Sequence, residues 1–150
     1  MIEKTAFPLR PTSPYDFDLT AGYATYFRGR CVTNVFEDGE FRRLLDMGGR
    51  LVLASIRSAG TIESPHLEVE LTGYDLDDVV VTDAQRQTAW LLGTDDDLDP
   101  FYRMALPDPH LPPLAKGLHG LHVPHTASAC EALVLAILGQ QISTHVAHVV

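Results

Sequence analysis

The chain has 150 residues, 45% of them hydrophobic and 21% charged, the make-up of a folded globular protein and not of a disordered one. Eleven Lys and Arg stand against 20 Asp and Glu, a net charge of −9, so the chain taken alone is a poor partner for phosphate backbones. No apolar run reaches membrane-span length and the first residues are no signal peptide; Cys31 and Cys130, far apart, fit reduced thiols in a cytoplasmic protein.

Residues 5–9 predict a first strand, closed by Pro11 and Pro14. Residues 18–28 predict a helix with Asp18 as its N-cap. Leu19, Tyr23, Tyr26 and Phe27 fall at i, i+4, i+7 and i+8 on it, one apolar stripe, and Arg28 and Arg30 suit the negative end of its dipole. Residues 32–36 read as a strand. It turns at Asp38-Gly39, a dipeptide that accepts the left-handed backbone of a tight hairpin, into residues 40–46. A buried strand over 50–57 follows, with a turn at Ala59-Gly60. Residues 66–72 alternate cleanly, with Leu67, Val69 and Leu71 on one side and Glu68, Glu70 and Thr72 on the other, as in a half-exposed antiparallel strand.

A helix is expected from Thr82, whose hydroxyl would share a capping box with Gln85. Ala84, Thr88 and Leu91 give its stripe, Trp90 adds bulk, and Gly93 lies past its end. The order β-α-β-β-β-β-α implies an α+β fold, one antiparallel sheet with helices on one face.

Residues 95–100, Asp-Asp-Asp-Leu-Asp-Pro, read as a boundary, dividing the chain into domains 1–95 and 96–150. Short helices are expected at 101–105 and 111–118, separated by prolines, with a loop over 120–124. Ser128 and Glu131 have the spacing of a second capping box. The helix they open is apolar almost all round to Leu138 and so is expected to be buried. Gly139 is expected to stop it, Gln140 and Gln141 to make a tight turn, and Ser143 to cap the next helix.

His119, His122 and His125 recur every third residue, as do His145 and His148, a spacing that can share a metal ion on a helix. Gly120 and Pro124 keep the first trio off a regular helix, so loop histidines are the preferred reading and no metal is assigned. Asp95, Asp96, Asp97 and Asp99 lack the central Gly and closing Glu of a calcium loop, and Gly48-Gly49 lacks phosphate-loop spacing. Tyr23, Tyr26 and Phe27 offer either a core stripe, the preferred reading, or a platform on which a base could stack. Gln140 and Gln141 are either an ordinary interhelical turn or a loop that enters a DNA groove.

The segment over 132–143, Ala-Leu-Val-Leu-Ala-Ile-Leu-Gly-Gln-Gln-Ile-Ser, resembles the opening of the helix-hairpin-helix DNA glycosylase domain. More narrowly, it resembles that of the bacterial DNA-3-methyladenine glycosylase II family. Pro14-Tyr-Asp-Phe17 with the aromatic helix and Arg28 is similar to that family's N-terminal domain. So are residues 97–102, Pro109-His-Leu111, and residues 120–124, where the family usually has Arg in place of His122. The resemblance implies an N-terminal sheet domain like one repeat of the TATA-binding protein, followed by the start of an all-α glycosylase domain. It implies a partner, double-stranded DNA with alkylated bases, and no cofactor, no obligate protein partner and no membrane. The implied activity is excision of alkylated purines such as 3-methyladenine after the nucleotide is flipped into a pocket. On this chain the DNA contacts would fall to Gln140, Gln141 and Ser143, with Gln141 filling the vacated space, and Tyr23 would line the base pocket. The family's helix-hairpin-helix and catalytic Asp would lie beyond Val150, so the chain alone is expected to be inactive. The rival readings are an oxidised-purine glycosylase, a non-catalytic DNA- or protein-binding module and a metal-binding protein.

Overall fold

The computed structural model describes residues 1–26 and 34–141, with the side chains of Leu138, Gly139 and Gln141 left aside. Phe27, Arg28, Arg30, Cys31, Val32, Ser143, His145 and His148 lie outside the described residues. Strands β1 (Glu3–Leu9), β2 (Asn34–Glu37), β3 (Glu40–Asp46), β4 (Leu51–Ser58) and β5 (Leu67–Gly73) form an antiparallel sheet in the order β1-β5-β4-β3-β2. β2 to β5 are a meander, and helix α1 (Phe17–Ala24) carries the chain across the sheet from the β1 edge to the β2 edge. Asp38 and Gly39 have φ of 51° and 71°, the two left-handed positions that their hairpin requires.

The period-2 pattern aims one face of the sheet inward. Phe41 and Leu45, Val52, Ala54 and Ile56, and Leu67, Val69 and Leu71 are each at most 2% exposed. Burying one of the large aliphatic side chains contributes roughly 1.5–3 kcal/mol. α1 and helix α2 (Asp78–Leu91) cover this face through Phe17, Ala21, Val80, Ala84 and Leu91. The element order through α2, the α+β class and the antiparallel sheet with helices on one face agree with the sequence.

Both helices start earlier than their sequences suggest. The N-cap of α1 is Asp16, not Asp18, and its Oδ1 accepts the Leu19 N–H at 2.9 Å. That puts Phe17, Thr20 and Ala21 on the buried face and leaves Tyr23 52% and Tyr26 73% exposed. The expected core stripe through the tyrosines is therefore wrong, because small side chains let the helix lie close to the sheet. At its other end the Thr25 hydroxyl donates to the Ala21 and Gly22 carbonyls. α2 is capped by Asp77, whose Oδ1 accepts the Val80 N–H at 2.9 Å. Thr82 sits inside the helix, donating to the Asp78 carbonyl, and makes no capping box. Three consecutive valines, β-branched and weak helix formers, fill this first turn. The stripe of Ala84, Thr88 and Leu91 is as expected, with Val80 added.

Helices α3 (Asp99–Ala105) and α4 (Leu111–Gly117) follow, near their expected places. Residues beyond the expected boundary at 95 then return to the first unit. Gly120 has φ +79°, and its carbonyl accepts the Asp16 N–H at 2.7 Å. His122 is fully buried and packs against Tyr15, with ring centroids 4.6 Å apart. Trp90, on the exposed side of α2, donates its indole N–H to the Thr126 carbonyl.

The final helix, α5 (Ala129–Gln141), runs through Gly139 and both glutamines, so the expected turn there is replaced by helix. A glycine inside a helix costs about 1 kcal/mol relative to alanine, and good helix formers on both sides offset that. The capping pair forms, displaced by one residue. Ser128 Oγ accepts the Glu131 N–H, while the Glu131 carboxylate accepts the N–H of Ala127 instead of that of Ser128. The helix is not buried: Leu133, Val134 and Ile137 are at least half exposed.

Candidate nucleic-acid interface

The sequence places its candidate contacts on two elements, the C-terminal end of α1 and the far end of α5. Tyr23 lies in the last turn of α1 with its ring half in solvent, available to a ligand in a way a core residue is not. Gln140 is exposed on α5. Gln141 ends the helix as described, and Ser143 falls outside the described residues.

A polar relay connects the two elements. The Asn34 side-chain amide donates to the Ala24 carbonyl at 3.1 Å, at the end of α1. Arg43 Nη1 donates to Asn34 Oδ1 at 2.8 Å, and Arg43 Nη2 reaches Glu131 Oε2 at 3.4 Å, in the first turn of α5. Arg43 is 9% exposed and sits on the inward face of β3 between Phe41 and Leu45. Sequence reasoning missed it. The signal was present, since the alternation that sends Phe41 and Leu45 inward sends Arg43 with them.

The three loop histidines do not converge. His119 Nε2 pairs with Glu63 at 2.8 Å, and His125 Nε2 with Asp96 at 3.2 Å beneath the Trp90 ring. Both ring nitrogens of His122 face carbonyl oxygens, Gly93 at 2.6 Å and Pro14 at 3.0 Å, so neither is open to a metal ion. Among the described residues no cluster of three or more His, Cys, Asp or Glu side chains could hold one. Asp97 Oδ1 accepts the Asp99 N–H at the start of α3, a structural use of the acidic run. Burial raises the pKa of Tyr15 far above its ordinary value, with the Asp96 charge adding to the effect. Its phenol stays protonated and donates to the Leu92 carbonyl.

Most basic side chains are engaged internally. Lys4 pairs with Glu70, Arg42 with Glu37 and Glu40, Arg50 with Asp77, Arg57 with Glu40, and Arg86 with Asp83. Arg10, Arg103 and Lys116 make no ion pair among the described residues, and they are scattered. An interface for phosphates needs clustered, unpaired cations. The described residues therefore offer an aromatic ring and an amide, and little electrostatic attraction for DNA. Among them, no helix is long and apolar enough to cross a membrane.

No protein-family model matches the chain, and no curated protein matches it. Among solved structures, the 3-methyladenine DNA-glycosylase from Archaeoglobus fulgidus is similar over 95% of this chain and 47% of its own, with a TM-score of 0.72 and 21% identity. The chain thus spans about half the length of that structure. At this identity the likeness shows the fold, which is that of an α+β unit found in a DNA glycosylase.

Proposed function

We propose that the chain forms the N-terminal part of a base-excision DNA glycosylase that flips out and removes alkylated purines such as 3-methyladenine. The observation that carries the reading is coincidence of extent: the sequence resemblance runs in order along nearly the whole chain, and so does the likeness to a glycosylase fold. An enzyme of this class must extrude its target nucleotide, and an inserted side chain compensates for the stacking lost. Gln141 fills that gap from the minor groove, where its amide meets the orphaned base, and Gln140 and Ser143 contact the DNA beside it. Tyr23 presents a ring face to the flipped base, which suits a purine made cationic by alkylation. The exposure of Tyr23 and Gln140 supports these roles.

The internal pairing of the basic side chains supports a division of labour. The phosphate contacts and the catalytic Asp belong to residues beyond 150, so the chain alone has no turnover. The test is release of 3-methyladenine from methylated duplex DNA, followed by chromatography. A longer protein containing this chain is expected to release the base, Tyr23→Ala and Gln141→Ala to slow it, and the 150-residue chain to release none. A longer protein inert on methylated DNA would overturn the assignment.

A further inference from the structure

A guanidinium on the core face of a sheet is costly to desolvate, and an aliphatic side chain of similar size would serve packing as well or better. Arg43 occupies such a position between Phe41 and Leu45, so its fork is kept for what it holds. One arm holds Asn34, which holds the last carbonyl of α1; the other reaches the Glu131 carboxylate. Glu131 is also the residue that accepts the Ala127 N–H at 2.7 Å and fixes the entry to α5. No described side chain of α5 is fully buried, so the helix has no core of its own to set its direction.

We infer that Arg43 is a positioning residue: one guanidinium registers the start of α5 against the Tyr23 end of α1. The geometric tie stands on its own, and its functional meaning rests on the function proposed above. The leverage is large. At 1.5 Å per residue α5 is about 20 Å long, so a swing of about 10° at its start moves its glutamine end by about 3 Å. Displacements of about 1 Å in a reacting geometry can cost a hundredfold in rate.

The test compares Arg43→Gln, Glu131→Gln and the double variant in the 150-residue chain. Glu131→Gln is the informative single change, because Gln at this helix position keeps the cap and loses only the charge. Amide hydrogen exchange over residues 133–137 is expected to quicken about tenfold in each single variant while β4 and β5 amides hold their protection. The double variant is expected to be no worse than either single, the non-additivity of one shared contact. Trp90 fluorescence gives a second reading, since its indole N–H is bonded to Thr126, just ahead of α5. Arg43→Lys, with a point charge in place of a fork, is expected to fall between wild type and Arg43→Gln.

Unchanged exchange over residues 133–137 in Glu131→Gln would overturn the tie, and it remains decisive if Arg43→Gln fails to fold. Additive effects, or equal loss across sheet and helix, would also overturn it. In a longer protein active on methylated DNA, Glu131→Gln is expected to lower kcat for excision about tenfold while binding of undamaged duplex is unchanged. If no such protein is active, the proposed function fails and the exchange data still judge the tie.

Discussion

Asp77 draws together a helix start, a strand end and a charge. The Val80 N–H, and then the Arg50 guanidinium, hold its carboxyl below the usual carboxylate range. A carboxyl whose folded pKa is depressed adds stability above its unfolded pKa, near 3.9, and loses it as the pH falls through the folded value. Asp77→Ala is therefore expected to lower the melting midpoint most near neutral pH, with the difference from wild type closing as the pH drops below about 4. Melts across that range would check it, and a constant gap would count against the ionised cap. Gly120 makes a different demand. A Cβ there would meet the Asp16 backbone nitrogen at 2.7 Å, and φ is +79°. Gly120→Ala is expected to cost about 1–3 kcal/mol in urea unfolding, through strain and a weakened contact between the 120–127 segment and α1.

At the level of elements, strands were easier to read than helices. The alternation of Leu67, Val69 and Leu71 with glutamates, and the Asp38-Gly39 turn, are direct consequences of pleating and of left-handed backbone, so the meander was legible. On α1 the bulk of the tyrosines points to the wrong face, since the small Thr20 and Ala21 are the residues that face the core. Gly139 was read as a stop because glycine often ends helices; here it is carried inside one. Local pattern offered a stacking platform at Tyr23 and a groove-entering loop at Gln140 and Gln141 only as alternatives to a core stripe and a plain turn, and resemblance alone gave Tyr23 and Gln141 their roles. Arg43 was readable from alternation, but its partners Asn34 and Glu131 are brought together only by the fold. Two substitutions separate these readings. Tyr23→Ala is expected to change stability by no more than about 0.5 kcal/mol, as for an exposed side chain, where a core stripe would lose several times that. Leu71→Ala, at a fully buried position, is expected to lose about 2–5 kcal/mol in the same urea titration.

Across the whole molecule, apolar surface is unevenly distributed. The inward face of the sheet is covered, while Leu133, Val134 and Ile137 on α5, Met104 on α3, and Leu114 on α4 are at least half exposed, as are Leu44 and Leu51 on the sheet and Val79 and Trp90 on α2. Exposed apolar surface of that kind favours association. Sedimentation of the 150-residue chain is expected to show concentration-dependent self-association, and a strictly monomeric profile would refute it. Salt should strengthen that association, since a net charge of −9 opposes contact between copies.

The sheet order also sets a timetable. β1 leaves the ribosome before the other four strands of this sheet, yet its partner is β5, with Glu3 opposite Gly73. The four-stranded meander β2 to β5 is built from neighbours in sequence and can close early, whereas β1 must wait across some seventy residues for its place. Until it arrives, β5 is an open edge carrying Val69 and Leu71, the kind of template on which nascent chains pair wrongly. β1 therefore acts as the latch of this sheet, fitted last although synthesised before its neighbours.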